Sequence, residues 1–192
     1  MMRDEAPIHA GKSGLRQILR VATTADHRVL DALGTKFDLA SRSGYAAFLS
    51  AHASLIPALE NLLDKGPVPP RWPQRRRAGA LAEDLAALGR TLPEPADVPD
   101  LASPAQRIGA LYVLEGSRLG GAILLRHVTT AQPDAPVAFL DHRSGERCWA
   151  TFVEWLDGLD CGSDEQRAAI EGARLTFAAF AAQFRAWLAT IA

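Results

Sequence analysis

Leu111-Tyr112-Val113-Leu114-Glu115-Gly116-Ser117-Arg118-Leu119-Gly120-Gly121-Ala122-Ile123-Leu124 is the stretch on which the reading of this chain turns. Its Leu, Val and Ile content is that of a helix, yet it carries Gly116, Gly120 and Gly121. Each interior glycine costs a helix roughly 0.5–1 kcal/mol against alanine. Ordinary packing would fill those positions with Ala or Leu. The omitted side chains therefore predict either a kink or close helix crossing, or a flat or bulky group against the backbone.

Helical periodicity continues on both sides. Leu15, Ile18, Leu19, Ala22, Val29, Leu30 and Leu33 recur at helical spacing, with Gly34 as a stop. A second helix opens near Ser43 and carries Tyr45, Phe48, Leu49, Leu55, Ile56, Leu59, Leu62 and Leu63, with Pro57 expected to break it locally. Residues 66–73 are too rich in Pro and Gly for regular helix. Ala78, Leu81, Leu85 and Leu88 mark a third helix ending at Gly89. Ser103-Pro104, an N-cap followed by proline at the first helical position, starts the glycine-bearing helix, which runs to about Thr130. Residues 131–144 read as loop, then a short helix spans Glu146 to Leu159. Ser163-x-x-Gln166 reads as a capping box before a last helix with Phe177, Phe180, Phe184 and Trp187. No period-2 run interrupts this pattern. The expected fold is all-α, about seven helices around one core.

The whole chain sets further bounds. Residues 1–12 read as a loose leader and residues 13–192 as one domain. The net charge of −1 gives no general attraction to nucleic acid or to an anionic membrane, so neither is an expected partner. No apolar run of the roughly 20 residues needed for a membrane span is evident. The N-terminus shows no export signal, and Cys148 and Cys161 fit no metal spacing, which together point to a cytoplasmic location.

Among the five histidines, His9 and His142 read as surface residues, and His52, in step with Phe48 and Leu55, as a hydrogen-bonded core residue. His127 follows Arg126 near a helix end, where an imidazolium is favoured. His27 differs. Asp31 at i+4 can hold one ring nitrogen, leaving the other to coordinate a metal, although an exposed His–Asp pair needs no function. Arg20, on the same side, can pair with a carboxylate of whatever His27 binds. One helix thus offers an oriented imidazole, and another a backbone stripped of side chains. A single axial histidine facing open space describes a heme pocket with a vacant sixth position, suited to oxygen chemistry.

Other chemistry finds little support. Gly116-Ser117-Arg118-Leu119-Gly120 lacks nucleophile-elbow spacing, no phosphate loop follows a strand, and Glu-x-x-His pairs are absent. Arg71 and Arg75-Arg76-Arg77 read as a solvated helix start, with a docking patch for an acidic redox partner as the alternative.

Ala22-Thr23-Thr24-Ala25-Asp26-His27-Arg28-Val29-Leu30-Asp31 resembles the proximal-helix motif of heme oxygenases, and Gly116-Ser117-Arg118-Leu119-Gly120-Gly121 resembles their distal helix. The form from Tyr112 to Gly121 is most similar to the bacterial branch often associated with bacteriophytochromes. The resemblance runs from Leu15 to the last helix. It implies a heme-oxygenase-like helical bundle with heme between the first helix and the distal helix. His27 would be the proximal iron ligand and Asp31 its orienting acid, with Arg20 on a propionate. Gly116 and Gly120 would lie against the distal heme face, Gly121 would complete a kink, and Tyr112 would contact a propionate or the pocket. Ser117 stands where many members carry an aspartate that anchors distal water, which implies either that Arg118 with other waters replaces that network or that activity is reduced. Arg143 and Arg147 are candidate propionate partners on the later helices.

By the same resemblance, heme is both cofactor and substrate, opened by O₂ and reductant to biliverdin with release of CO and Fe²⁺. The implied partners are an electron donor such as ferredoxin or a flavin reductase, and a bacteriophytochrome. The alternative is a non-enzymatic heme-binding protein that has lost turnover. After it come a related bundle for another small ligand and an interaction bundle whose glycines mark a helix crossing.

Overall fold

Local sequence signals set most of the helix ends. The computed structural model describes residues 14–141 and 145–191, with the backbone alone at 145–147. His9, His142 and Arg143, the leader, and the side chain of Arg147 lie outside the described residues. The segments are α1 (Leu15–Ala22), α2 (Thr24–Gly34), α3 (Arg42–Ala53), α4 (Ile56–Leu63), α5 (Trp72–Arg75), α6 (Ala78–Ala87), α7 (Pro104–Ala131), α8 (Gly145–Asp157) and α9 (Ser163–Ala189). No strand occurs among the described residues. α1 with α2, and α3 with α4, each form one bent unit, which leaves seven helical bodies among the described residues.

Periodicity predicts one helix over residues 15–33, but Thr23 divides it. The Thr23 hydroxyl donates to the Leu19 carbonyl and the Thr24 hydroxyl to the Arg20 carbonyl, each at 2.8 Å. Such back-bonding competes with the helix ladder and bends it. The second break falls at Ser54-Leu55, because Pro57 has no N–H to donate and is tolerated only in the first turn of α4. Gly89 ends α6 at φ +69°, a left-handed cap in which the Arg90 N–H donates to the Leu85 carbonyl at 2.8 Å. Ser103 and Gln106 form a reciprocal capping box at the start of α7.

The cap of α9 sits one residue earlier than the sequence pattern suggests. Gly162 is the N-cap, and its N–H donates to Glu165 Oε2 at 2.8 Å. An acidic side chain is favoured in a first turn, and Gln166 instead donates to the Cys161 carbonyl.

α9 is the central element and touches α1, α2, α3 and α7. It crosses α7 at Gly109 and Gly172, where a Cβ on either would collide with the Ala169 or Gln106 carbonyl. α8 lies against α7 and α1 and is tied to α1 by Asp157, whose Oδ1 accepts from the Arg16 N–H at 3.0 Å. Two stretches, Arg42–Leu63 and Pro104–Ala131, are long and apolar enough to cross a membrane by composition, more than the sequence reading allowed. The first is mostly buried inside the bundle, and both pack as helices of its core.

Candidate functional site

His27 lies one turn beyond the Thr23 break. Its Nδ1 is 2.8 Å from Asp31 Oδ2, and both side chains are more than half exposed. Phe177 of α9 stands edge-on behind the ring, 5.9 Å between centroids. The imidazole is thus oriented from one side and open on the other. With Nδ1 held by the carboxylate, Nε2 is the atom left to coordinate.

α7 comes up against α1 where Tyr112 lies beside Thr23. Tyr112 also lies within electrostatic reach of Arg20 and Arg16; burial raises its hydroxyl above the usual range against the opposing pull of both cations. Arg16 Nε is buried without a hydrogen-bond partner among the described residues. A buried cationic N–H calls for an acceptor, and an anionic group beside Tyr112 would satisfy it.

One turn beyond Tyr112 the helix is bare. Gly116, Leu119, Gly120 and Ile123 share a face by i, i+3, i+4, i+7 spacing, and Leu119 and Ile123 are exposed. Among the described residues, a Cβ on Gly120 would meet nothing within 4 Å, and one on Gly116 would meet only the edge of Trp149, at 3.8 Å. This separates them from Gly109, whose bareness the α9 crossing requires. Helix packing therefore does not account for Gly116 and Gly120, while a flat apolar ligand does. Gly121 is buried, away from that open face, and α7 is continuous helix past it. His127 is exposed two turns beyond Gly120.

Beneath this face lies a charge network that sequence reasoning missed. Arg75 and Arg77 are buried, so the solvated or docking reading of that cluster is corrected for both. Arg75 Nη1 donates to Glu115 Oε2 at 2.6 Å, and Arg118 pairs with Glu115 Oε1 at 3.0 Å. Arg118 also donates to the Arg75 carbonyl, which turns it into the protein interior and away from any distal water. Arg77 donates to the Leu114 carbonyl and to Ser117 Oγ, both at 2.9 Å, and burial pulls its guanidinium below the usual range. Ser117 in turn donates to the Leu114 carbonyl at 2.8 Å. A run of three arginines resembles a solvated surface in sequence, and only the buried Glu60 and Glu115, far along the chain, reveal otherwise. His52 is the core residue expected: Nδ1 meets the Phe48 carbonyl at 2.8 Å, amid Phe48, Phe139, Phe180 and Phe184.

The residues present fit a heme. An oriented imidazole, a bare apolar helix face and a cationic corner with an orphaned N–H are what an iron, a flat macrocycle and its carboxylates would need.

A family model described as Heme oxygenase matches residues 13–186. Heme oxygenase PigA of Pseudomonas aeruginosa is 33% identical over 175 residues, covering 85% of this chain and 88% of that protein. A heme oxygenase of Xanthomonas campestris pv. campestris is 34% identical over 142 residues, covering 71% and 86%. Among solved structures, the NO- and CO-bound heme oxygenase from Neisseria meningitidis aligns at TM-score 0.83 with 25% identity, over 93% of this chain and 94% of that one. The heme complex of heme oxygenase-1 from the cyanobacterium Synechocystis aligns at TM-score 0.71 with 16% identity, over 93% and 96%, a likeness of fold.

Proposed function

The chain belongs to the heme oxygenase family, and from that footing we propose how its own side chains carry heme degradation. The reaction opens heme to biliverdin and releases CO and Fe²⁺, using O₂ and a reductant. Membership sets aside the reading of a pure interaction bundle. When bound, heme supplies both the iron at which O₂ is activated and the ring that is cut.

His27 holds the iron through Nε2, and Asp31 fixes the ring's tautomer and direction. Arg16, Arg20 and Tyr112 receive the propionates, where the unpartnered Arg16 Nε gains its acceptor. Gly116 and Gly120 would let a heme lie close to the α7 backbone, beside the apolar Leu119 and Ile123. Ser117 has its proton on the Leu114 carbonyl and one lone pair on Arg77, which leaves its second lone pair for a water. A water donating to that lone pair would take the place of the carboxylate in supplying a proton on this side of a bound heme. The Arg77 charge behind Ser117 favours its release. His27 as the ligand would avoid the strong electron push that a thiolate supplies.

The electron donor is a cytoplasmic ferredoxin or flavin reductase, as the reductant requirement of the family implies, and a bacteriophytochrome uses the biliverdin, which the form of the Tyr112–Gly121 motif supports.

The observation that carries the reading is the exposed His27 imidazole with Nδ1 held by Asp31 at 2.8 Å. Heme titration followed by reductant in air, recorded by absorbance, tests it. Wild type should form a Soret band that decays into a biliverdin spectrum. His27→Ala should lose the ligated spectrum, and Asp31→Asn should lose about 10- to 100-fold in activity or affinity. An unaltered Soret spectrum in His27→Ala overturns the assignment.

A further inference from the structure

We propose that Trp149 is the wall that fixes which edge of the macrocycle is cut, an inference that rests on the reading of α7 as the distal side. Outside α7, the only described atoms within 4 Å of a Cβ built on Gly116 are Cζ3 and Cη2 of Trp149, at 3.8 and 3.9 Å. The indole also stands 6.2 Å from the Tyr112 ring, between centroids. It therefore borders the two residues that begin the open strip Tyr112-Gly116-Gly120, spaced i, i+4, i+8. A flat group laid along that strip comes edge-on against the indole.

The wall is held firmly. Arg75 Nη1 donates to the Cys148 carbonyl at 2.9 Å and Nη2 to Thr151 Oγ1 at 2.7 Å, so one guanidinium grips α8 on both sides of Trp149. The same guanidinium is paired with Glu115, the residue before Gly116. Behind the indole, Phe152 is fully buried, 5.7 Å away. At its far end α8 is tied to α1 through Asp157 and Arg16. Trp149 is thus positioned relative to both α7 and the cationic corner of Arg16, Arg20 and Tyr112. A corner anchor alone leaves a near-symmetric ring free to choose among in-plane seatings. An anchor with an adjacent rigid wall leaves one, and the meso carbon beneath the glycines is then fixed.

The test pairs two readouts on Trp149→Ala and Trp149→Leu, with Trp155→Leu as the control on the same helix. Proton NMR of the cyanide-ligated ferric heme complex reports the in-plane seating through its heme methyl resonances, without turnover. Chromatography of the biliverdin isomers reports the cut. Wild type should show one dominant seating and one dominant isomer. The Trp149 variants should show a second methyl set and a second isomer, with selectivity falling roughly tenfold, the low end of what apolar pocket contacts discriminate. Trp155→Leu should keep the wild-type pattern. Unchanged patterns in both Trp149 variants, a mixture in wild type, or an equal change in Trp155→Leu overturns the proposal while His27 ligation stands. Loss of His27 ligation from the picture overturns the site reading and this inference together.

Discussion

Gly120 and Gly109 are the same residue on the same helix, yet they answer to different demands. Gly120→Ala places a methyl where no described residue lies within 4 Å, so helix propensity governs its effect. The heme-free protein should gain about 0.5–1 kcal/mol in urea denaturation, while heme affinity falls. Lower stability, or unchanged heme binding, would contradict the role given to the open face. His52 is an equally local matter. Burial among aromatic rings pulls its pKa down to about 4, the Phe48 carbonyl opposing and Arg77 assisting. The unfolded chain therefore binds a proton that the folded one refuses between the ordinary histidine value near 6.5 and about 4. Stability falls as pH drops through that window, by up to about 3 kcal/mol. Denaturation curves at pH 7 and pH 5 should show this slope in wild type and a flatter one in His52→Gln.

The long helices show how packing separates glycines that sequence spacing cannot. α7 and α9 touch backbone to backbone at Gly109 and Gly172, and no small shift of a side chain relieves a collision with a carbonyl. Gly109→Ala should lower stability by several kcal/mol, roughly 3 or more as for severe overpacking, or abolish folding. Thermal melts beside Gly120→Ala would show opposite signs for identical chemistry. The α1–α2 bend belongs to the same level. Thr23 and Thr24 draw their hydroxyls back onto Leu19 and Arg20, which sets the angle at which His27 is presented.

Across the bundle, Glu115 joins elements distant in sequence: α5 through Arg75, its own helix through Arg118, and α8 through the Arg75 contacts to Cys148 and Thr151. Glu115→Gln removes the charge that compensates two buried guanidiniums. It should cost about 3–5 kcal/mol and loosen α8, readable as a lower Tm and as faster amide exchange in residues 148–157. Ligand linkage acts on the same scale. Heme at 100 times its Kd should stabilise the protein by about 2.7 kcal/mol, and His27→Ala should lose most of that gain.

Helical periodicity, Pro57, Gly89 and the Ser103-Pro104 start were enough to establish an all-α bundle and most helix ends, because those signals act within a few residues. The His27–Asp31 pair was legible for the same reason: i, i+4 neighbours meet on any helix. Ser163 and Thr23 misled because capping and back-bonding compete between near-equal local options. What lay beyond the chain's local order was the environment of each charge and each bare position. The sequence offered Arg75-Arg76-Arg77 as a surface run, and folding buried Arg75 and Arg77 under α7 against Glu115 and Ser117. It offered Gly116 and Gly120 as open to several explanations, and only the surroundings of their missing side chains, open among the described residues at Gly120 and bordered by the edge of Trp149 at Gly116, distinguished ligand room from helix crossing. Burial and close approach depend on which distant segments come to lie alongside, and no local pattern encodes that.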